Sequence, residues 1–395
     1  MARHYYLTRS GRLRRKDNTL LFELTGETEQ EKTAASQNIE ALDACSAENL
    51  SGIIGRNLGD DFLGDLSLER EDFEPAGGGS IEESAETPVR VTEKRVIPVE
   101  DVDAIWSFCE LDLNSRVLNF LAQKRIPIHF FNYYGFYSGS FYPREYLQAG
   151  YLLVRQVKHY SSRLKRLRIA REFIRAALHN ILRNLRYRDS RGADLQAETE
   201  AVQAEVLRLE EVRTIDELMA CEGRARAAYY QAFEKIIKRD VEFKKRVRRP
   251  PDNMVNALIS FTNGLVYSTC LTQIYRSQLD PTISFLHEPG FRRFSLALDL
   301  AEVFKPVLAD RLIFRLFNNG QLSEKHFAQD LNCCYLKETG RKIVLQEWDA
   351  RLKTTIEHRR LKRKVSYERL IRLECYKLVK HLMEVEEYKG FRAWW

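Results

Sequence analysis

The pattern of apolar residues changes near Arg144, and this change constrains the fold more than any other feature. Before it, short runs such as HYYLT, TLLFEL and IPIHFF combine β-branched and aromatic residues between turn-forming residues, which is typical of strands, and LNSRVLNFLAQKR predicts one short helix. After it, apolar residues recur at three- and four-residue steps, which is typical of amphipathic helices, and a small hairpin is expected around Gly340. The sequence therefore predicts an α+β fold, with a small β-rich, sandwich-like domain over residues 1–143 and a larger all-α domain over residues 144–395.

One segment of the first domain departs from the strand pattern. Residues 26–92 contain 16 acidic and four basic residues, are rich in Ser, Ala and Gly, and include the run Gly77–Gly79. Such a composition buries too little apolar surface to offset chain entropy. We therefore predict an insert at about residues 26–92, mostly disordered and placed in a hairpin loop, where added length costs little.

The charge balance outside this insert is strongly basic. The whole chain has a net charge of +7, so the residues outside the insert together carry +19. A body with this charge suits a polyanion such as nucleic acid, although charge also serves solubility. Seven cysteines without regular spacing argue against a disulfide framework and favour a reduced, cytoplasmic setting. No long uninterrupted apolar run is present, and we expect no membrane span.

The stretch from Phe285 to Arg311 holds the residues that best suit a metal site. Its first part, FLHEPG, places His287 just before a Pro-Gly turn. The following SLALDLAEVF predicts a helix that Pro306 then disturbs or kinks. Asp299 and Glu302 lie three residues apart, so they project from neighbouring points of one helix face. This set is compatible with a partial cage for Mg²⁺ or Mn²⁺, but also with a solvated helix face beside a structural histidine.

A further acidic position lies in CEGRARAAYYQAF. Glu222 opens this small-residue, helix-like segment, and Arg224 and Arg226 follow it. Because guanidinium groups bind phosphate oxygens bidentately, both arginines are candidates for contact with nucleic acid.

Two basic segments add further candidates for nucleic-acid contact. The stretch from Tyr151 to Tyr187 carries ten bases and one acid on a predicted amphipathic helix or pair of helices. The loop RVRRPP precedes a long apolar helix. Both segments suit phosphate contact, and both are also compatible with solvated surfaces. The candidates are Arg163, Lys165, Arg166, Arg248 and Arg249.

Several motifs together resemble one known family. They are EGRAR at Glu222, FLHEPG at His287, SLALDLAEVFKP at Asp299 and Glu302, LNFLAQKRIPIHFFNYYGFYSGSFYPRE, and RRPPDNMVNALISFTNGLVY. Taken in their order along the chain, they are similar to the CRISPR-associated integrase-endonuclease family, which installs new spacers. The resemblance spans nearly the whole chain except the acidic insert.

The resemblance implies a set of site residues. Glu222, His287 and Glu302 match the family's metal ligands for Mg²⁺ or Mn²⁺. Asp299 matches a further acid of the catalytic site, which either supports one of these ligands or serves as an alternate ligand. Many members have Asp where this chain has Glu302, which keeps the carboxylate but adds a methylene. A cluster of acids facing DNA is tolerable only with a divalent ion between them and the phosphate.

The resemblance also implies an activity and partners. The expected reaction is attack by the 3′-hydroxyl of a captured double-stranded DNA fragment on the border of a CRISPR repeat; with water in its place, the same site is an endonuclease. The expected partners are DNA, a second copy in a homodimer, and the small second protein of CRISPR adaptation. Two alternatives stay open: a stand-alone nuclease for branched DNA in repair, and a DNA-binding scaffold with a dead site.

Overall fold

The structure is a computed structural model, and it describes most of the chain outside the predicted insert. The prediction of a disordered insert at 26–92 falls almost wholly outside the described residues and stays a prediction. The described residues are 3–25, 91–147, 149–238, 241, 243–248, 250–289, 294–330 and 333–394.

The amino-terminal part consists of two four-stranded sheets and one helix. The first sheet has the order β1-β5-β7-β8 and the second the order β4-β3-β2-β6. Their bounds are Arg3–Leu7 (β1), Gly11–Lys16 (β2), Thr19–Thr25 (β3), Val91–Pro98 (β4), Val102–Ser107 (β5), Leu111–Asp112 (β6), Ile128–Phe131 (β7) and Tyr137–Phe141 (β8), with helix α1 at Ser115–Lys124. The prediction of a β-rich region with one short helix is confirmed.

The first sheet separates two hydrophobic cores. Along β5, Val102 and Ile105 face a small core shared with the second sheet and α1, whereas Ala104 and Trp106 face the large core of the helical part. From Ala104 to Trp106 this division follows the alternation of side chains along a strand, and the register shift between the pairs Arg3–Val102 and His4–Ala104 puts Val102 on the side of Ile105. Strand β1 pairs in parallel with β5, and β5 pairs in parallel with β7. The first sheet is therefore built from segments distant in sequence.

The carboxy-terminal part is mainly helical, but it is not the all-α domain that was predicted, because it also contains two short hairpins. Its helices are Gly150–Ser161 (α2), Arg163–Asp189 (α3), Gln196–Arg208 (α4), Ile215–Ile236 (α5), Met254–Tyr275 (α6), Ser295–Lys305 (α7), Arg311–Asn318 (α8), Glu338–Lys353 (α9) and Tyr367–Leu382 (α10). Two hairpins interrupt them: Phe327–Asp330 (β9) with Cys333–Leu336 (β10), and Thr355–His358 (β11) with Arg363–Ser366 (β12).

Helix α6 is the central core element. Among the described residues it is the one helix long and apolar enough to cross a membrane, but 72% of its apolar window is buried inside the protein. The core helix of a soluble protein meets the same criteria, so this is weak evidence for a span. Two buried hydrogen bonds fasten the helix to the first sheet: Trp106 Nε1 donates to Ser268 Oγ at 2.9 Å, and His129 Nε2 lies 2.7 Å from Thr272 Oγ1.

The structure corrects one sequence-based expectation. A small hairpin was expected around Gly340, but Gly340 lies inside α9, and the hairpin β9–β10 precedes it. Glycine marks turns only statistically, and here it fits a close approach, because a Cβ at this position would come within 2.7 Å of the backbone oxygen of His326. The expected kink at Pro306 takes the form of a π-helical turn over Pro306–Asp310, which joins α7 to α8.

Candidate metal centre and active site

Helix α5 brings Glu222 into the interior. The helix begins at a capping box, in which the Thr214 hydroxyl accepts from the backbone N–H of Glu217 at 3.1 Å. Two turns further on, Arg226 Nε donates to Glu222 Oε1 at 2.8 Å, and Arg226 Nη2 donates to Glu302 Oε2. One guanidinium group, itself only 8% exposed, thus joins carboxylates from two helices.

Helix α7 supplies Glu302 together with a second cation. Lys305, one turn after Glu302, donates to the other carboxylate oxygen, Glu302 Oε1. Burial alone raises the pKa of Glu302, but Lys305 and Arg226 outweigh this effect and lower its pKa to about 2. Glu302 is therefore a buried anion whose stability depends on cationic neighbours. Such a position is suited to a divalent ion.

His287 is held by Asp299, which is fully buried. Asp299 Oδ2 accepts from the backbone N–H groups of Phe285 at 2.7 Å and Leu286 at 2.9 Å, and Oδ1 accepts from that of His287 at 3.0 Å. His287 Nδ1 lies 2.8 Å from the same Oδ1, so this nitrogen carries the proton and Nε2 is left for a ligand. Both oxygens of Asp299 are therefore engaged, and this carboxylate fixes the orientation of the His287 ring.

Helix α3 supports the same turn from the outside. Arg166 Nε donates to the carbonyl of Phe285 at 2.9 Å, and Arg166 Nη2 donates to Glu288 Oε1 at 2.6 Å. The Tyr160 hydroxyl donates to Glu288 Oε2 at 2.9 Å, and the Arg166 guanidinium lies 4.6 Å from the Tyr160 ring centre. Contacts with the Phe285 carbonyl and the Glu288 side chain therefore hold the chain on both sides of His287.

The three predicted ligands lie in one neighbourhood but do not form a closed cage. Glu222 and Glu302 share Arg226, and His287 and Glu302 are near enough to shift each other's pKa. Their ligand atoms do not all lie within 4.8 Å of one another. Two carboxylates and one imidazole nitrogen are nevertheless a donor set that accepts Mn²⁺ or Mg²⁺. The residues fit such an ion, with Arg226 and Lys305 as the cations that the carboxylates now bind.

Two residues of this neighbourhood were missed by the sequence-based reasoning. Lys305 lies at the helical i+3 spacing from Glu302, and that spacing is the signal that identifies it. Asp310 ends the π-helical turn and is buried, and its Oδ2 has no hydrogen-bond partner. The signal for Asp310 was Pro306, because π-helical turns inside helices occur frequently at functional sites.

Asp310 gives a pH-dependent prediction. Burial raises its pKa to about 6 from 3.8, although Arg226 and the Tyr229 hydroxyl act in the opposite direction. Between these two values the folded chain binds the proton more tightly than the unfolded chain. Ionisation of Asp310 should therefore lower the free energy of unfolding by up to about 3 kcal/mol as pH rises from about 4 to about 6.

We expect Asp310→Asn to remove this contribution. Urea unfolding in the presence of a chelator gives the free energy of unfolding of the parent and of the variant at pH 4.5 and pH 7.5. The contribution of Asp310 is the change between these pH values in the parent minus the change in the variant. The variant should gain stability relative to the parent at the higher pH. Identical pH dependences would show that Asp310 is ionised throughout this range.

The candidates for DNA contact on α3 differ in their surroundings. Arg163 is exposed, whereas Lys165 donates to Glu384 Oε1 at 3.2 Å in the turn after α10. Arg168 is likewise 3.4 Å from Glu387. Acidic residues of the carboxy-terminal segment thus already neutralise part of this basic helix.

The remaining candidates are divided among three environments. Arg224 forms a bidentate pair with Glu205, at 2.9 and 2.8 Å, and Arg226 is enclosed by the acidic site. Arg248 is exposed, and Arg249 lies outside the described residues.

The fold is that of CAS1 proteins. It superposes with a TM-score of 0.74 on a CAS1 protein from Thermotoga maritima, with 35% identity over 99% of both chains. It also matches a casposase bound to an integration product, with a TM-score of 0.76 and 17% identity over 99% of this chain and 93% of that one. The second match shows a shared fold alone.

Sequence comparison identifies the family. The model of "CRISPR associated protein Cas1" matches residues 81–350. A CRISPR-associated endonuclease Cas1 from Fusobacterium nucleatum is 51% identical over 303 residues, covering 77% of this chain and 90% of the relative. A second, from Moorella thermoacetica, is 52% identical over 304 residues, covering 77% and 92%. The chain belongs to the Cas1 family of CRISPR-associated proteins, which confirms the resemblance carried by the motifs.

Proposed function

We propose that this chain is a metal-dependent DNA endonuclease and integrase of CRISPR adaptation, which joins the 3′-hydroxyl of a new spacer to the repeat. The observation that carries the proposal is the convergence of Glu222 and Glu302, from separate helices, on one cationic group beside His287. The endonuclease names of the relatives support the reaction class.

Glu222, Glu302 and His287 Nε2 would hold the divalent ion. When bound, the ion polarises a phosphoryl oxygen and offsets the charge that develops in phosphodiester transfer. The chain itself supplies anionic oxygen donors fixed on two helices and an imidazole fixed in one tautomer by Asp299. Lys305 and Arg226 keep Glu302 ionised, so that it is ready as a ligand near neutral pH.

The proposed partners follow from related proteins. Solved Cas6-RT-Cas1–Cas2 complexes include a chain with a TM-score of 0.70 and 16% identity, covering 99% of this chain and 36% of that one. We infer that this chain likewise acts with the small Cas2 protein on double-stranded fragments and repeat DNA, as a homodimer in the cytoplasm.

An integration assay on repeat DNA tests the proposal. Purified chain, Cas2 and a double-stranded fragment should give fragment–repeat joints with Mg²⁺ or Mn²⁺, and none with excess chelator. Cleavage of branched DNA without joints would favour the stand-alone nuclease. Metal-independent binding without any cleavage would favour the dead scaffold.

The salt dependence of DNA affinity distinguishes arginines that contact DNA from arginines that only support the fold. Releasing one counterion changes the slope of log affinity against log salt by about 0.9 on duplex DNA. We expect Arg163→Gln to make the slope shallower by about this amount, because Arg163 is exposed. Arg166→Gln should leave the slope unchanged and slow cleavage, because Arg166 clamps the His287 turn. Fluorescence titration at several salt concentrations measures both slopes. Equal changes in slope would assign both arginines to DNA.

A further inference from the structure

A second cluster of potential metal ligands lies far along the chain from the residues assigned to catalysis. His4 of β1, Asp103 of β5 and Glu368 of α10 place one nitrogen and two carboxylate oxygens within 4.8 Å of one another. These residues join the first sheet to the last helix. The side chains of His4 and Asp103 are 4% and 6% exposed and that of Glu368 is 22% exposed, so the cluster is buried on the His4 and Asp103 side and partly open at Glu368.

Two atoms inside this cluster lack hydrogen-bond partners. His4 Nε2 and Asp103 Oδ2 are both buried, and neither makes a hydrogen bond of acceptable geometry. They face each other at 3.5 Å, and His4 Nε2 lies 3.3 Å from Glu368 Oε1. Unsatisfied polar atoms that converge inside a protein call for an unseen water or ion.

The spacing suits a tetrahedral cation. Zinc binds imidazole nitrogen and carboxylate oxygen at about 2.0–2.2 Å, and tetrahedral geometry then separates the ligand atoms by roughly 3.3–3.5 Å. The two distances from His4 Nε2 fall within this interval. His4 Nε2 therefore already lies at tetrahedral spacing from both oxygens, which are within 4.8 Å of each other, and a water would complete the fourth position.

Neighbouring groups hold each ligand in this orientation. Arg276 pairs with Asp103 through the other carboxylate oxygen, Oδ1, which leaves Oδ2 directed into the cluster. Gln273 Nε2 donates to Glu368 Oε1 at 2.9 Å, and Arg372 Nε donates to Gln273 Oε1 at 2.7 Å. Supporting contacts of this kind are usual around the ligands of metal sites.

The other nitrogen of His4 is also engaged, since Nδ1 lies 3.4 Å from the Tyr6 hydroxyl. The His4 ring packs on Trp106, with ring centres 4.8 Å apart. The imidazole is thereby fixed with Nε2 toward the two acids.

We propose that His4, Asp103 and Glu368 form a structural divalent-cation site, suited to Zn²⁺, which fastens the first sheet to helix α10. The competing occupant is a proton on His4. Burial lowers the pKa of His4, but Asp103 and Glu368 raise it to about 9 overall. Metal binding displaces this proton, and the bound ion stabilises the folded chain by mass action.

Counting bound ions tests the site in the full-length chain. The background carries Glu222→Gln and His287→Ala, so that an ion in the proposed catalytic centre does not enter the count. After incubation with ZnCl₂ and dialysis, we expect one zinc per chain by elemental analysis. With Co²⁺ we expect the intense visible absorption of a tetrahedral site.

Two substitutions and a matched control locate the ion. His4→Asn and Glu368→Gln should each reduce zinc from one per chain to none and abolish the zinc-dependent rise in Tm. Glu357→Gln, at an exposed position on β11, should change neither. In crystals of the unaltered chain, anomalous scattering at the zinc edge should give a peak between His4 and Asp103, whatever the variants' stability.

Absence of zinc from the background chain would overturn the proposal and leave a protonated His4 between two carboxylates. Retention of the ion in both His4→Asn and Glu368→Gln would also overturn it. So would an anomalous map without a peak at these residues.

Discussion

Replacing Glu222 or His287 by alanine should lower metal-dependent cleavage and integration by about 1000-fold or more, because each change removes one of three proposed ligands. In Glu222→Ala, Arg226 also loses one of its two carboxylate partners and is left to bind Glu302 alone. Single-turnover rates with saturating Mn²⁺ measure the loss, and titration with Mn²⁺ should show weakened binding of the ion.

Glu234→Ala is the matched control for this experiment. Glu234 lies on the same helix, α5, but is exposed, and its substitution should leave the rate within a factor of two or so. Circular dichroism and Tm establish that the variants fold. A folded Glu222→Ala or His287→Ala chain that cleaves at the parental rate would contradict the assignment of that ligand.

Asp299→Asn should impair both stability and activity. The carboxylate accepts three backbone N–H groups and the His287 Nδ1–H in a fully buried position. An amide cannot accept all of these bonds and brings donors that face other donors. We expect the free energy of unfolding to fall by about 3 kcal/mol and cleavage to fall by about 100-fold. Urea unfolding and single-turnover rates measure the two effects.

Asp280→Asn provides the comparison. Asp280 accepts from the backbone N–H of Thr282 at 2.8 Å, but this hydrogen bond is exposed and Asp280 is only partly buried. Its substitution should cost less than about 1 kcal/mol and leave cleavage unchanged. If Asp299→Asn were equally mild, Asp299 would not be what orients His287, and the imidazole would have to be held by the Arg166 clamp alone.

Sequence patterns were most informative where the signal is local. The helix carrying Asp299 and Glu302 followed from its apolar stripe, and α1 from a short amphipathic run. The first sheet was harder to predict, because β1 pairs with β5 although Leu7 and its partner Ser107 are far apart in sequence. No local periodicity encodes that pairing. The hairpin near Gly340 was misplaced for a related reason, since tertiary contact decided the role of the glycine.

The candidate site was likewise predictable only in part from the sequence. The motifs named Glu222, His287, Glu302 and Asp299, but not how these side chains are connected. Sequence spacing cannot show that Arg226 faces inward to both glutamates and not outward to solvent, because that direction depends on how α5 packs against its neighbours. The buried position of Asp310 likewise depends on the π-helical turn, which the proline only suggests.

Location of a bound ion tests the central claim most directly. Crystals of the full-length chain soaked in MnCl₂ should give an anomalous peak at bonding distance from Glu222, His287 Nε2 and Glu302, about 2.1–2.3 Å, with Arg226 withdrawn from at least one glutamate. A well-occupied manganese elsewhere, with both glutamates still bound to Arg226, would contradict the proposed metal centre.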